Sequence, residues 1–98
     1  MFAKLNQKGN AWNDAAVGVG GTSPSFFLGR RSCVGVSFNV SGNTNITVEQ
    51  SDKGMDWVPG DVMACTTGDN HKIVEVAAPV VRLKSSAAVT ITGTVYAK

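Results

Sequence analysis

Strict alternation of apolar and polar residues is the feature that most constrains this chain. In "CVGVSFNV", Val34, Val36, Phe38 and Val40 share one parity while Cys33, Gly35, Ser37 and Asn39 share the other. Successive side chains of a strand point to opposite faces, so this pattern buries one face and wets the other. "TNITVEQS" repeats it, with Ile46 and Val48 inward and Asn45, Thr47 and Glu49 outward. "AAVTITGTVYA" sets Val89, Ile91, Gly93 and Val95 against Thr90, Thr92, Thr94 and Tyr96. Shorter β-branched runs, "DVMAC", "HKIVEVA" and "VVRLKS", lie between. No window sustains the i, i+3, i+4 spacing of an amphipathic helix. About seven short strands separated by Gly, Asn, Asp and Pro turns predict an all-β fold over residues 25–98. That fold is a small antiparallel β-sandwich or jelly-roll-like barrel.

Residues 1–24 lack this alternation. "GVGGTSP" carries three glycines and a proline, which cost entropy to order or remove a backbone donor. The segment is expected to be an extended N-terminal arm with at most a helical turn over 13–17. On this reading, deleting residues 1–20 leaves the sandwich folded. Phe2, Leu5 and Trp12 are apolar enough to dock onto a neighbouring subunit, or equally onto the chain's own sandwich.

Composition excludes several classes. The chain has 98 residues, only 16% of them charged against a norm of about 25%, so Thr, Ser, Asn and Gly must supply much of the polar surface. A domain this small has a thin core, and oligomerisation is a common remedy. The net charge of +2 is spread over scattered Lys and Arg, with only Arg30 and Arg31 adjacent, which argues against nucleic acid. No stretch approaches about 18 apolar residues, so no membrane span is expected. The N-terminus shows no apolar signal-peptide core, so synthesis and folding in a cytoplasm are expected. Cys33 and Cys65 are too few for a disulfide framework or a zinc site; two reduced thiols are expected, a single bridge being the alternative.

The run "QSDKGMDW" (residues 50–57) is the one candidate for local chemistry. Asp-Lys-Gly between two strands fits a hairpin, with Gly54 taking positive φ and Asp52 capping backbone donors. Trp57 would then fold over the sheet end and cover the core. The segment is similar to the Asp-box hairpin, Ser-x-Asp-x-Gly-x-Thr-Trp. Asp52, Gly54 and Trp57 match, while Gln50 and Asp56 replace the Ser and Thr. A single copy implies a pinned turn and not a glycosidase. Asp52, Asp56, Asp61 and Asp69 lack the alternating ligand spacing of a calcium loop. His71 has no nucleophile or acid beside it in a known motif. The expectation is a protein with no catalytic residues, no cofactor and no metal.

The layout from "VGVSFNVSGNTNITVEQSDKGMDWVP" to "VVRLKSSAAVTITGTVYAK" resembles a β-sandwich module of tailed-bacteriophage virions. The resemblance covers Ser32 to Lys98 and rests on a pattern, a "tvtveqS.dG..W" hairpin followed by a "vRlk..s...vtvt..g" ending. It implies a virion protein without catalysis, a capsid decoration (cement) protein or a piece of a tail or fibre. The first would bind the major capsid protein as a homo-oligomer, a trimer by preference; the second would meet a host-surface glycan. Residues 1–31 have no counterpart in that pattern.

Overall fold

The computed structural model describes residues 8–28 and 33–97. Eight strands follow one another: β1 (Lys8–Val17), β2 (Phe26–Phe27), β3 (Cys33–Val40), β4 (Thr44–Ser51), β5 (Val58–Cys65), β6 (Gly68–Glu75), β7 (Val80–Ser85) and β8 (Val89–Ala97). They make two four-stranded antiparallel sheets, β1-β8-β3-β6 and β2-β7-β4-β5. Every connection but one crosses from sheet to sheet; only β4 and β5 are both consecutive and paired. Eight strands wound in this order are a jelly roll, so the sandwich-or-barrel alternative resolves to two distinct layers.

The alternating runs place the core as their parity requires. Val34, Val36, Phe38 and Val40 of β3 are buried, as are Ile46 and Val48 of β4 and Ile91 and Val95 of β8. Val81 and Leu83 of β7 close the opposing layer. Val89 lies at the margin, half-buried against the cluster. The deepest polar group, Ser85, is satisfied: its hydroxyl lies 2.8 Å from Thr44 Oγ1 and donates to the Ala87 carbonyl at 2.9 Å. Leaving such a group unpaired would cost about 1–3 kcal/mol.

At the centre of the first sheet a glycine makes room for two large rings. Gly93 pairs with Trp12 on one side and with Phe38 on the other. A Cβ at Gly93 would stand 2.6 Å from Phe38 Cδ1, inside any allowed contact. The rings of Trp12 and Phe38 meet with centroids 6.2 Å apart at a tilt of 51°. The tilt avoids the face-to-face sandwich that aromatic quadrupoles disfavour.

The arm expected over residues 1–24 is corrected for residues 8–24. β1 is a ten-residue strand paired with β8, and Trp12 is buried in its own sandwich. Two bulges explain why the alternation failed there. The register shifts between Asn10 and Trp12 and again between Trp12 and Ala15, so Ala11 and Trp12 are consecutive and both buried. Each extra residue flips the parity that a sequence reading depends on. The helical turn expected at 13–17 is instead the second bulge, with Asp14 at φ 49° and its N–H donating to Thr92 Oγ1 at 3.0 Å.

Residues 20–28 then run along β7. Gly20 N donates to Ser85 O at 2.8 Å, Ser23 N to Leu83 O at 2.8 Å and Leu28 N to Pro79 O at 2.6 Å. The segment therefore covers the β7 edge, which would otherwise expose unpaired donors and acceptors. Phe26 and Leu28 are buried there. Phe2, Leu5, Arg30 and Arg31 lie outside the described residues.

Candidate functional site

The β4–β5 hairpin carries the "SDKGMDW" loop, and its turn is built on Ser51. The buried Ser51 hydroxyl accepts the N–H of Gly54 at 2.8 Å and of Lys53 at 3.3 Å. Asp52, expected to cap these donors, is exposed; the acceptor is one residue earlier, on the last residue of β4, beneath the loop amides. Gly54 has φ 79°, a conformation that side chains resist. Gln50 ties the loop to the neighbouring β6–β7 connection, its Oε1 accepting Ala77 N at 2.7 Å. An open groove between the two loops is lined by Asp52, Lys53, Asp56, Val58 and Ala77.

Trp57 does not cover the core. Its half-buried ring lies under the Arg82 guanidinium, with Cζ 4.3 Å from the ring centroid. Arg82 Nε donates to Glu49 Oε1 at 2.8 Å, and the two residues are register partners on β7 and β4. Glu49, expected to face solvent, is only 6% exposed. A carboxylate that deep needs a charged donor, and Arg82 supplies it. The stack ties the hairpin to β7 across the outer face of the second sheet. Its sequence signal was absent because Glu49 and Arg82 are joined only by the strand order.

The outer face of the first sheet is a polar lattice. Ser37 Oγ lies 2.9 Å from His71 Nδ1, and Asn39 Nδ2 donates to Asp69 Oδ1 at 2.8 Å, each pair spanning β3 and β6. In sequence His71 has no nucleophile or acid beside it in a known motif, and the fold brings Ser37 to it from β3. The serine that the fold supplies is partly exposed on an outer sheet face. Asp69, the nearest acid on that face, is held by Asn39. Activation of a nucleophile needs a water-excluded, preorganised site, and these pairs read as cross-strand ties. On the same face the Tyr96 ring lies across Gly35, where a Cβ would fall within 2.2 Å of it.

Cys33 and Cys65 are both free thiols, and burial pushes the Cys65 thiol up from its usual pKa. Among the described residues no three His, Cys, Asp or Glu side chains gather as a metal site would require. Among the described residues no helix is long and apolar enough to cross a membrane.

Fold and surface together define an eight-stranded jelly roll with two open outer faces. No known protein family matches the chain, and no curated protein does. Among solved structures it is similar to PBSX exported protein XepA, with a TM-score of 0.68 at 15% identity over 97% of this chain. The chain spans 38% of that protein's length, so the likeness is one of fold to a part of it.

Proposed function

We propose that this protein is a non-enzymatic structural component of a bacteriophage virion, specifically a capsid decoration (cement) protein that binds and stabilises the major capsid lattice as an oligomer. The observation that supports it is the fold shared over 97% of the chain with PBSX exported protein XepA, added to the virion-module pattern in Ser32–Lys98. The surface suits that role. The two grooves described, one between loops and one over a sheet face, are open, whereas small-molecule sites enclose most of their ligand. Shallow, extended faces serve contacts with other proteins. Because β1 belongs to the sandwich, attachment falls to the outer faces, the loop ends and residues 1–7, where Phe2 and Leu5 are the proposed contacts.

The test mixes the protein with capsids that lack it, then sediments them and counts bound copies. Saturation at hundreds of copies per particle, weakened by deleting residues 1–7, supports the proposal. A second reading is a tail or fibre module that meets a host-surface glycan. The half-exposed Trp57, between the groove residues Asp56 and Val58, favours it, since an aromatic face can stack on a sugar. A few copies per virion, with glycan binding lost in Trp57→Ala, would establish that reading instead.

A further inference from the structure

The outer faces of the two sheets are complementary to one another. On the second sheet, Val62, Thr47, Lys84 and Thr22 form one outward row across four adjacent strand segments. A groove crosses the middle of this row, lined by Val19, Gly20 and Pro59, with Thr47, Lys84 and the Arg82-paired Glu49 in its floor. Val19 on the groove wall is 77% exposed and Val62, beside Thr47 at the end of the row, is 54% exposed, so this face offers aliphatic surface to water. Arg82 beside it is neutralised by Glu49, but the Lys84 ammonium has no carboxylate partner among the described residues. The groove is therefore apolar with one uncompensated positive charge.

The first sheet presents the counterpart. On its edge strand β6, Ile73 is 58% exposed on the outward face, next to the Tyr96 ring that lies over Gly35. Glu75 follows on the same face and has no ion-pair partner among the described residues. Two residues apart on a strand, the two side chains stand about 7 Å from one another. Val62 and Lys84 are separated by two strand spacings, about 10 Å between backbones, and a lysine stem spans the remainder.

We propose that this groove receives the Ile73–Glu75 edge of a second copy of the chain, with Ile73 seated between Val19 and Val62 and the Glu75 carboxylate on Lys84. Each copy carries both halves, so the contact is head-to-tail and closes into a ring when the rotation allows. Stacking groove on groove about a two-fold axis is disfavoured, because it sets Lys84 against Lys84. A tenth of the 5427 Å² surface from each copy gives roughly 1,100 Å² buried, the lower limit for a specific contact. One such contact is weak, and ring closure makes the assembly stable. The proposal names the interface of the oligomer that the proposed function calls for.

The test needs no particles, so its failure leaves the attachment experiment standing. Sedimentation velocity over a concentration series compares the wild type with Lys84→Glu, Glu75→Lys, Ile73→Asp and the double variant Lys84→Glu/Glu75→Lys. Circular dichroism confirms that each folds. The expected result is a discrete wild-type oligomer, at least tenfold weaker association in every single variant, and recovery in the charge-reversed double. A variant that misfolds is replaced by its milder form, Lys84→Gln or Glu75→Gln, each of which should weaken association. A wild type that stays monomeric throughout overturns the interface. So does a double variant no better than its singles.

Discussion

The two tryptophans occupy opposite situations, one in the core and one on an outer face. Trp12, expected to dock onto a neighbouring subunit or equally onto its own sandwich, is a core residue packed on Phe38 across Gly93. Trp57 looked like the lid of the core and lies half-buried on an outer face under Arg82. What separates them is parity and pairing. Trp12 turns inward because a bulge shifts its strand by one residue, while Trp57 leaves a hairpin loop beside an ion pair that recruits its ring. A tryptophan's role therefore follows from the strand beside it more than from its own neighbours in sequence.

The largest expected effect lies at the buried ring. Trp12→Ala and Phe38→Ala should each cost about 3–5 kcal/mol, close to the whole stability of a small domain. Urea melts followed by far-UV circular dichroism would read this. A Trp12→Ala protein that melts with wild type would return residues 8–17 to the status of a dispensable arm. Truncation sharpens the point: removing residues 1–20 takes away β1 and should prevent folding, whereas removing residues 1–7 should leave the melt nearly unchanged.

Next in size is the glycine between the rings. Gly93→Ala adds a methyl where Phe38 already sits, so overpacking should cost about 1–3 kcal/mol. In the background of Phe38→Leu that penalty should shrink, because the clashing ring edge is gone. Equal penalties in both backgrounds would show that the two rings do not define the space.

The Trp57 side should respond more mildly. Glu49→Gln, which keeps the shape and removes the charge facing Arg82, should cost about 1 kcal/mol. A double-mutant cycle between Trp57→Leu and Arg82→Met should yield a coupling of about 0.5–1 kcal/mol, the range for a partly exposed cation over an aromatic face. A coupling near zero would mean that the stack adds nothing to the hairpin.

Smallest are the loop changes. Gly54→Val should cost about 1 kcal/mol or more through its positive φ, and Asp56→Ala should stay within about 0.5 kcal/mol. A rise in melting temperature with calcium, abolished by Asp56→Ala, would overturn the structural account of this loop.

Legibility followed the regularity of each strand. β3, β4 and β8 alternate without interruption over most of their length, so their inward faces could be read residue by residue. The turn at Gly54 was legible too, because few residues tolerate its backbone. β1 was illegible through its two bulges, and β2 is only two residues long, too short for any period to show. Glu49 was assigned to solvent on its parity, which is correct for direction and wrong for environment. Direction is a local property of the strand, while burial depends on which strand lies alongside and what it carries.

The all-β character, the inward faces of the regular strands and the turn of the β4–β5 hairpin were legible from the residues alone. Those properties arise from steric rules acting over a few neighbouring residues. The order of the strands came from long-range packing, since each pairing except β4 with β5 joins segments that are not consecutive. It set Lys8 against Tyr96, brought Ser37 to His71, and put Arg82 between Glu49 and Trp57. No local preference encodes such contacts. They are chosen by the free energy of closing two sheets over one core, and the winding that achieves it makes the two outer faces different.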